Sequence, residues 1–221
     1  MKSTDLSGSG GSADPVDPGF RARFFAKVWG KISAGVDASF RESKDEIFVD
    51  LPDQILELGA GLGDNFKRYA VGTRVLAFEP NTAMHEGLRK AAADQGLELT
   101  IDARDLRDSG LADASQSLVV STLVLCCVGD QAAMVAEIRR ILAPGGRFIF
   151  VEHVAAEDET THRIQRLWRV PWGIVGDGCD PAPSTVSAIE QAGFGDLDAQ
   201  RGRNGSVLNP THPVYWGIAT S

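Results

Sequence analysis

Three glycines in five positions, Gly59, Gly61 and Gly63, follow an apolar run in the segment ILELGAGLGDN, residues 55–65. Glycine allows tight turning and close approach of a ligand to the backbone, and the amphipathic helix expected next would offer free N–H groups. The next apolar run ends in VLAFEP, which places Glu79 twenty residues after Gly59. At that spacing an acidic side chain accepts hydrogen bonds from ribose hydroxyls. The combination predicts a nucleotide-like ligand.

The kind of nucleotide follows from a departure. A dinucleotide fingerprint needs a third glycine where this chain has Asp64, whose charge opposes a pyrophosphate at a helix start. A phosphate-free cofactor with cationic sulfonium and amino groups tolerates acidic neighbours such as Glu57. S-adenosylmethionine meets that description, and NAD does not.

A second group of residues lies further along. His153 follows the fifth apolar run, at the edge where ligands bind in open α/β sheets, and a neutral imidazole can accept a proton near neutral pH. Asp177 sits in the turn GDGC, residues 176–179, and either residue could assist proton removal or orient an acceptor. Trp168 and Trp172 precede that turn and Cys179 closes it, so the segment could fold over the strand ends as a lid with an aromatic wall. Cys126 and Cys127 end an apolar run and read as inert packing thiols. The histidines are scattered and no CxxC spacing occurs, so no metal is expected.

These residues require elements to hold them. Apolar runs at Ile55–Leu58, Val75–Phe78, Leu97–Ile101, Leu118–Leu125 and Phe148–Val151 predict strands, several of them buried on both faces. Met84, Leu88 and Ala92 recur at helical spacing, as do Met134, Ile138, Ile141 and Leu142. Ser184–Ala192 predicts a helix, Phe194–Ala199 and Val214–Ala219 predict closing strands, and Arg201–Pro213 reads as a loop. Strands alternating with helices give a doubly wound, Rossmann-like α/β fold with a mostly parallel sheet and helices on both faces. Phe20 to about Val49 is helical in pattern, with Phe20, Phe24, Phe25, Val28 and Trp29 interleaved with Arg21, Arg23 and Lys27, and it can cap a ligand.

Composition bounds the rest. The 221 residues are 43% hydrophobic and 24% charged, typical of a globular chain. The net charge of −8 argues against a nucleic-acid or anionic-membrane surface. Three cysteines are too few for a disulfide framework, and no apolar run reaches membrane-spanning length, so a cytoplasmic protein without an integral anchor is expected. Residues 1–19 are rich in Ser, Gly, Asp and Pro and predict a disordered tail, native or an added linker, ahead of one domain over 20–221.

From about Phe20 onward the chain resembles the class I S-adenosylmethionine-dependent methyltransferases. ILELGAGLG, AFEPN, IDARDL, STLVLCCV and LAPGGRFIFVEH stand in that superfamily's order and spacing. STLVLCCV, GGRFIFVEHVAAE and the later DGC resemble the methyltransferase-like seven group, whose implied activity is methylation of small thiols. The resemblance implies a seven-stranded sheet and cofactor contacts from Glu57, Gly59, Ala60, Gly61, Glu79, Pro80 and Asn81. It implies that Asp102 and Ala103 hold the adenine, with Asp105 as fallback, and that Thr122 and Leu123 border the methionine part. That group carries an apolar N-terminal anchor, whereas this chain opens on a polar tail. The expected function is methylation of a small-molecule acceptor, first a thiol; the alternatives are N- or O-methylation, a nicotinamide-dependent oxidoreductase, against which the Asp64 slot counts, and a non-catalytic cofactor-binding module.

Overall fold

The computed structural model describes residues 19–176, 178–202 and 213–221. The expected tail lies outside them, except that Gly19 opens the first helix. The aromatic N-terminal stretch is two helices, α1 (Gly19–Ser39) and α2 (Arg41–Ile47), separated where Phe40 turns into the core. Then come β1 (Gln54–Leu58), β2 (Arg74–Phe78), α3 (His85–Gln95), β3 (Glu98–Asp102), β4 (Gln116–Thr122), α4 (Gln131–Ile141) and β5 (Leu142–His153). The chain closes with α5 (Glu159–Val175), α6 (Thr185–Gln191), β6 (Asp196–Gly202) and β7 (Val214–Thr220).

The seven strands form one sheet in the order β3-β2-β1-β4-β5-β7-β6. The first five pair in parallel, and β7 runs antiparallel between β5 and β6. Alternation along the strands decides which helix covers which face. Phe148 and Phe150 pack with Met134, Val135 and Ile138 of α4 and with Ile189 of α6. Ile149 and Val151 pack on the other face with Phe66, Leu88 and Ala92. Each such side chain contributes roughly 1.5–3 kcal/mol on burial, which is why the short strands hold.

Three local departures from the sequence reading matter for the site. No α-helix follows the glycines: the chain makes a turn and a 3-10 segment, Phe66–Arg68. Phe66 and Tyr69 are both buried, and side chains three apart eclipse in a 3-10 turn, so this winding puts both on the core. β4 stops at Thr122 rather than Leu125, because Leu123 takes a left-handed conformation and a 3-10 turn, Leu125–Cys127, follows. β5 starts at Leu142, six residues earlier than its apolar core suggests.

Candidate active site

Strand order reverses between β1 and β4, and the loops leaving their carboxyl ends face one crevice. The glycine turn leaves β1 there. Gly59 has φ +59° and donates its N–H to Phe78 O at 2.7 Å. A Cβ on Gly59 would stand 2.5 Å from Val124 Cγ2, so no side chain fits between the two loops. Gly61, with φ +57°, faces the Trp29 indole of α1.

Glu79, at the end of β2, anchors this turn. Its Oε2 accepts the Gly61 N–H and its Oε1 the Asn81 N–H, both at 2.8 Å. These two bonds orient the carboxylate beside the turn. Asn81 caps the next 3-10 turn by accepting Ala83 N–H, and its Nδ2 donates to Ala22 O of α1 at 3.1 Å. The capping helix is therefore tied to the loop it covers. Ala60 is buried in the turn, and Pro80 is exposed beside it.

Glu57 stands elsewhere than its sequence position suggested. It is buried, with Oε1 accepting from Asn65 Nδ2 (2.8 Å) and Oε2 from Tyr69 OH (2.7 Å). Burial pushes its carboxyl up to about 7. Asn65 also donates to Thr122 Oγ1 at 3.1 Å and accepts from Lys44 Nζ at 2.8 Å, and Lys44 pairs with Asp37 at 2.6 Å. This buried network ties α1 and α2 to β1 and β4 beneath the crevice. Its members were missed in the sequence, except Glu57 and Thr122; a Lys inside a helix gives no sign of being 2% exposed.

Asp102 ends β3 as expected, but its carboxylate is forked with the exposed Arg104, Nη2 to Oδ2 at 2.6 Å and Nε to Oδ1 at 3.0 Å. The same guanidinium holds its carboxyl below the usual range. Asp105 makes the equivalent pair with Arg107 at 2.7 Å. Ala103 is exposed between them. Leu123 has φ +58° at the exit of β4, a conformation costing a bulky residue about 1–3 kcal/mol and typical of sites where the backbone is turned for function. Its N–H donates to Val151 O at 2.8 Å.

The residues expected at the acceptor end divide. His153, 4% exposed, ends β5 with Nε2 3.1 Å from Cys179 Sγ and 3.2 Å from Asp180 O. Burial pushes its imidazole below the ordinary value. The Cys126, Cys127 and Trp172 side chains hydrogen-bond to the Cys179 sulfur and hold its thiol well below the usual range. Trp168 is 47% exposed on α5 and Trp172 half-buried on the same helix. Asp177 lies outside the described residues. A cavity of about 500 Å³ opens beside this cluster, lined by Cys126, Cys127, Gln131, Arg169, Cys179 and Asp180. Glu152, absent from the sequence reading, is fully buried beside His153. Its Oε1 accepts from Ser121 Oγ (2.7 Å) and from the Val124 and Leu125 N–H groups (3.2 Å each), fixing the β4 exit, while among the described residues no hydrogen bond reaches Oε2. A Glu ending an otherwise apolar strand was the available signal.

The crevice fits an adenosyl group. Its glycine turn admits no side chain at Gly59, Glu79 directly follows β2 and Asp102 ends β3, while Asp64 precedes a 3-10 segment rather than the α-helix expected to present a phosphate site. Comparison with known proteins agrees. A family model described as a methyltransferase domain matches residues 56–150. Thiol S-methyltransferase TMT1A of Homo sapiens is 36% identical over 188 residues, covering 80% of this chain and 77% of that protein. Thiol S-methyltransferase TMT1B of Rattus norvegicus is 31% identical over 189 residues, covering 80% and 78%. Among solved structures, the [4+2]-cyclase SpnF superposes with a TM-score of 0.63 at 15% identity, over 84% of this chain and 80% of that one. The N-methyltransferase NodS from Bradyrhizobium japonicum, in complex with S-adenosyl-L-homocysteine, gives 0.55 at 15% identity over 76% and 77%.

Proposed function

This chain belongs to the S-adenosylmethionine-dependent methyltransferases, and from that premise we propose that its acceptor is the thiol of a small molecule. The observation that carries the proposal is the 36% identity, spanning four-fifths of the chain, with a protein named for thiol S-methylation. The acceptor end supports it. His153 stands behind Cys179 and Asp180, which line the cavity while it does not, so among the described residues no imidazole lines the acceptor's space. A thiol is the acceptor that least needs one, since its pKa of about 8.5 leaves a reactive thiolate fraction near neutral pH.

S-adenosylmethionine supplies an electrophilic methyl group on a sulfonium. The protein's own part is alignment, which can contribute about 7–11 kcal/mol when reacting atoms are held in a near-attack geometry. Glu79 would hold the ribose hydroxyls, with the glycine turn behind it. Asp102 would take the adenine amino group once Arg104 swings aside, and Thr122 and Leu123 would border the methionine portion. The cavity beside Cys126 and Cys179 would receive the acceptor. α1 would exclude water by lying over the turn, through Trp29 and the Asn81 tether.

The test is a panel assay that measures S-adenosylhomocysteine formed with thiol, amine, phenol and carboxylate acceptors. Turnover is expected with thiols and not with the others. Preferential turnover of an amine or phenol would overturn the thiol assignment, and no turnover with any class would favour a cofactor-binding module.

A further inference from the structure

We propose that Cys126, His153 and Cys179 form a binding site for one soft divalent cation, zinc, at the carboxyl edge of the sheet. The three residues come from separate places: the 3-10 turn after β4, the last position of β5, and the turn after α5. Folding brings Cys126 Sγ, His153 Nε2 and Cys179 Sγ within 4.8 Å of one another. In a tetrahedral zinc site, with Zn–S near 2.3 Å and Zn–N near 2.0 Å, neighbouring ligand atoms stand about 3.5–3.8 Å apart. The separation of 3.1 Å between His153 Nε2 and Cys179 Sγ already approaches that spacing, so side-chain rotation alone completes the triangle.

Chemistry selects the ion. Two thiolates and an imidazole favour zinc over magnesium or calcium, which prefer oxygen ligands. Two thiolates also cancel the charge of a dication, so the loaded site is neutral where all three side chains are buried. A second observation points the same way. The adjacent Glu152 is fully buried, and its Oε2 has no hydrogen-bond partner among the described residues, an arrangement whose cost in free energy a nearby positive charge, like a proton on the carboxyl, relieves.

Loading is balanced by proton release. The two sulfurs bind as thiolates and release whatever protons they carry, and His153 gives up its contact with Asp180 O, moving the Nε2 proton to Nδ1 so that Nε2 binds as the neutral imidazole nitrogen. No oxidation is involved. Cys126 and Cys179 both line the cavity, which leaves a fourth position for water or another small ligand. Cys127 Sγ lies 3.7 Å from Cys126 Sγ but outside the three-way group.

The experiment uses the whole chain, reduced and stripped with a chelator, then titrated with zinc against a chromophoric competitor and separately with cobalt(II). Zinc is expected to bind at one equivalent, and cobalt to show a thiolate charge-transfer band with the intense visible absorption of tetrahedral coordination. Cys126→Ser and Cys179→Ser should each weaken uptake at least about 100-fold, while Cys127→Ser keeps the stoichiometry. Absence of stoichiometric uptake by the unsubstituted protein, a cobalt spectrum without the charge-transfer band, or an equal loss in Cys127→Ser would each overturn the proposal. The first two readouts need no variant, so a misfolded serine variant does not blur them. No methyl acceptor is present, so failure here leaves the thiol assignment standing, and failure of the acceptor panel leaves the metal site standing.

Discussion

Glu57 shows how far one buried carboxyl can govern the molecule. Its surroundings are Asn65 and Tyr69, which hydrogen-bond to it, Lys44, which favours its charged form, and Asp64, which opposes it; desolvation outweighs these and holds the carboxyl at about 7 against an ordinary value near 4.5. The folded state therefore keeps a proton that the unfolded chain has already lost between those values. Stability from this group is full below about 4.5 and declines as pH rises through 7, by at most about 1.4 kcal/mol per pH unit. Urea denaturation at pH 5, 6 and 7 should show this decline in the native sequence and a flatter profile in Glu57→Gln; parallel profiles would contradict it. Glu79 belongs at the same scale. Glu79→Ala should weaken S-adenosylmethionine binding by about 1–3 kcal/mol in calorimetry, and Gly61→Arg should abolish it by driving a long side chain into the space facing Trp29. Unchanged affinity in Glu79→Ala would remove the ribose role.

Among the elements, the N-terminal helices have the most to lose from single polar substitutions. Lys44→Met leaves Asp37 buried beside Lys67 and Arg68 but strips Asn65 of a donor, and breaking such a buried pair should cost about 3–5 kcal/mol in chemical denaturation. Asn81→Ala removes both the cap on Ala83 and the tie to Ala22, worth about 1 kcal/mol, and hydrogen exchange in α1 should speed up as a result. Strands and helices were legible because their apolar periods are local: β1 and β2 fall within one residue of Ile55–Leu58 and Val75–Phe78. The glycine turn and Glu79 were legible for the same reason. The Cys126, His153 and Cys179 cluster was not, since 27 residues separate the first pair and 26 the second, and they meet where the chain returns after α5 and Asp180 N–H bonds Cys126 O. Nor could spacing reveal that Asp102 would be paired by a neighbour two residues away.

On the scale of the whole molecule, a cofactor that binds the native crevice and not the unfolded chain should raise global stability as its affinity rises. At a hundredfold excess over its dissociation constant, S-adenosylmethionine should add about 2.7 kcal/mol. For a chain of this length that corresponds to a melting shift of several degrees, at about 2–4 °C per kcal/mol. NAD at the same concentration should give none, and an equal shift with NAD would contradict the choice of S-adenosylmethionine as the ligand. Within helix α1, the side chains of Arg21, Arg23, Lys27 and Lys31 are all exposed, yet the helix they decorate lies across the glycine turn. Trypsin cannot cut those sites while they are wound in a helix, so cleavage there counts the moments when the cover lifts. A stopwatch is thus built into the fold: digestion at these four bonds should slow when the crevice is filled.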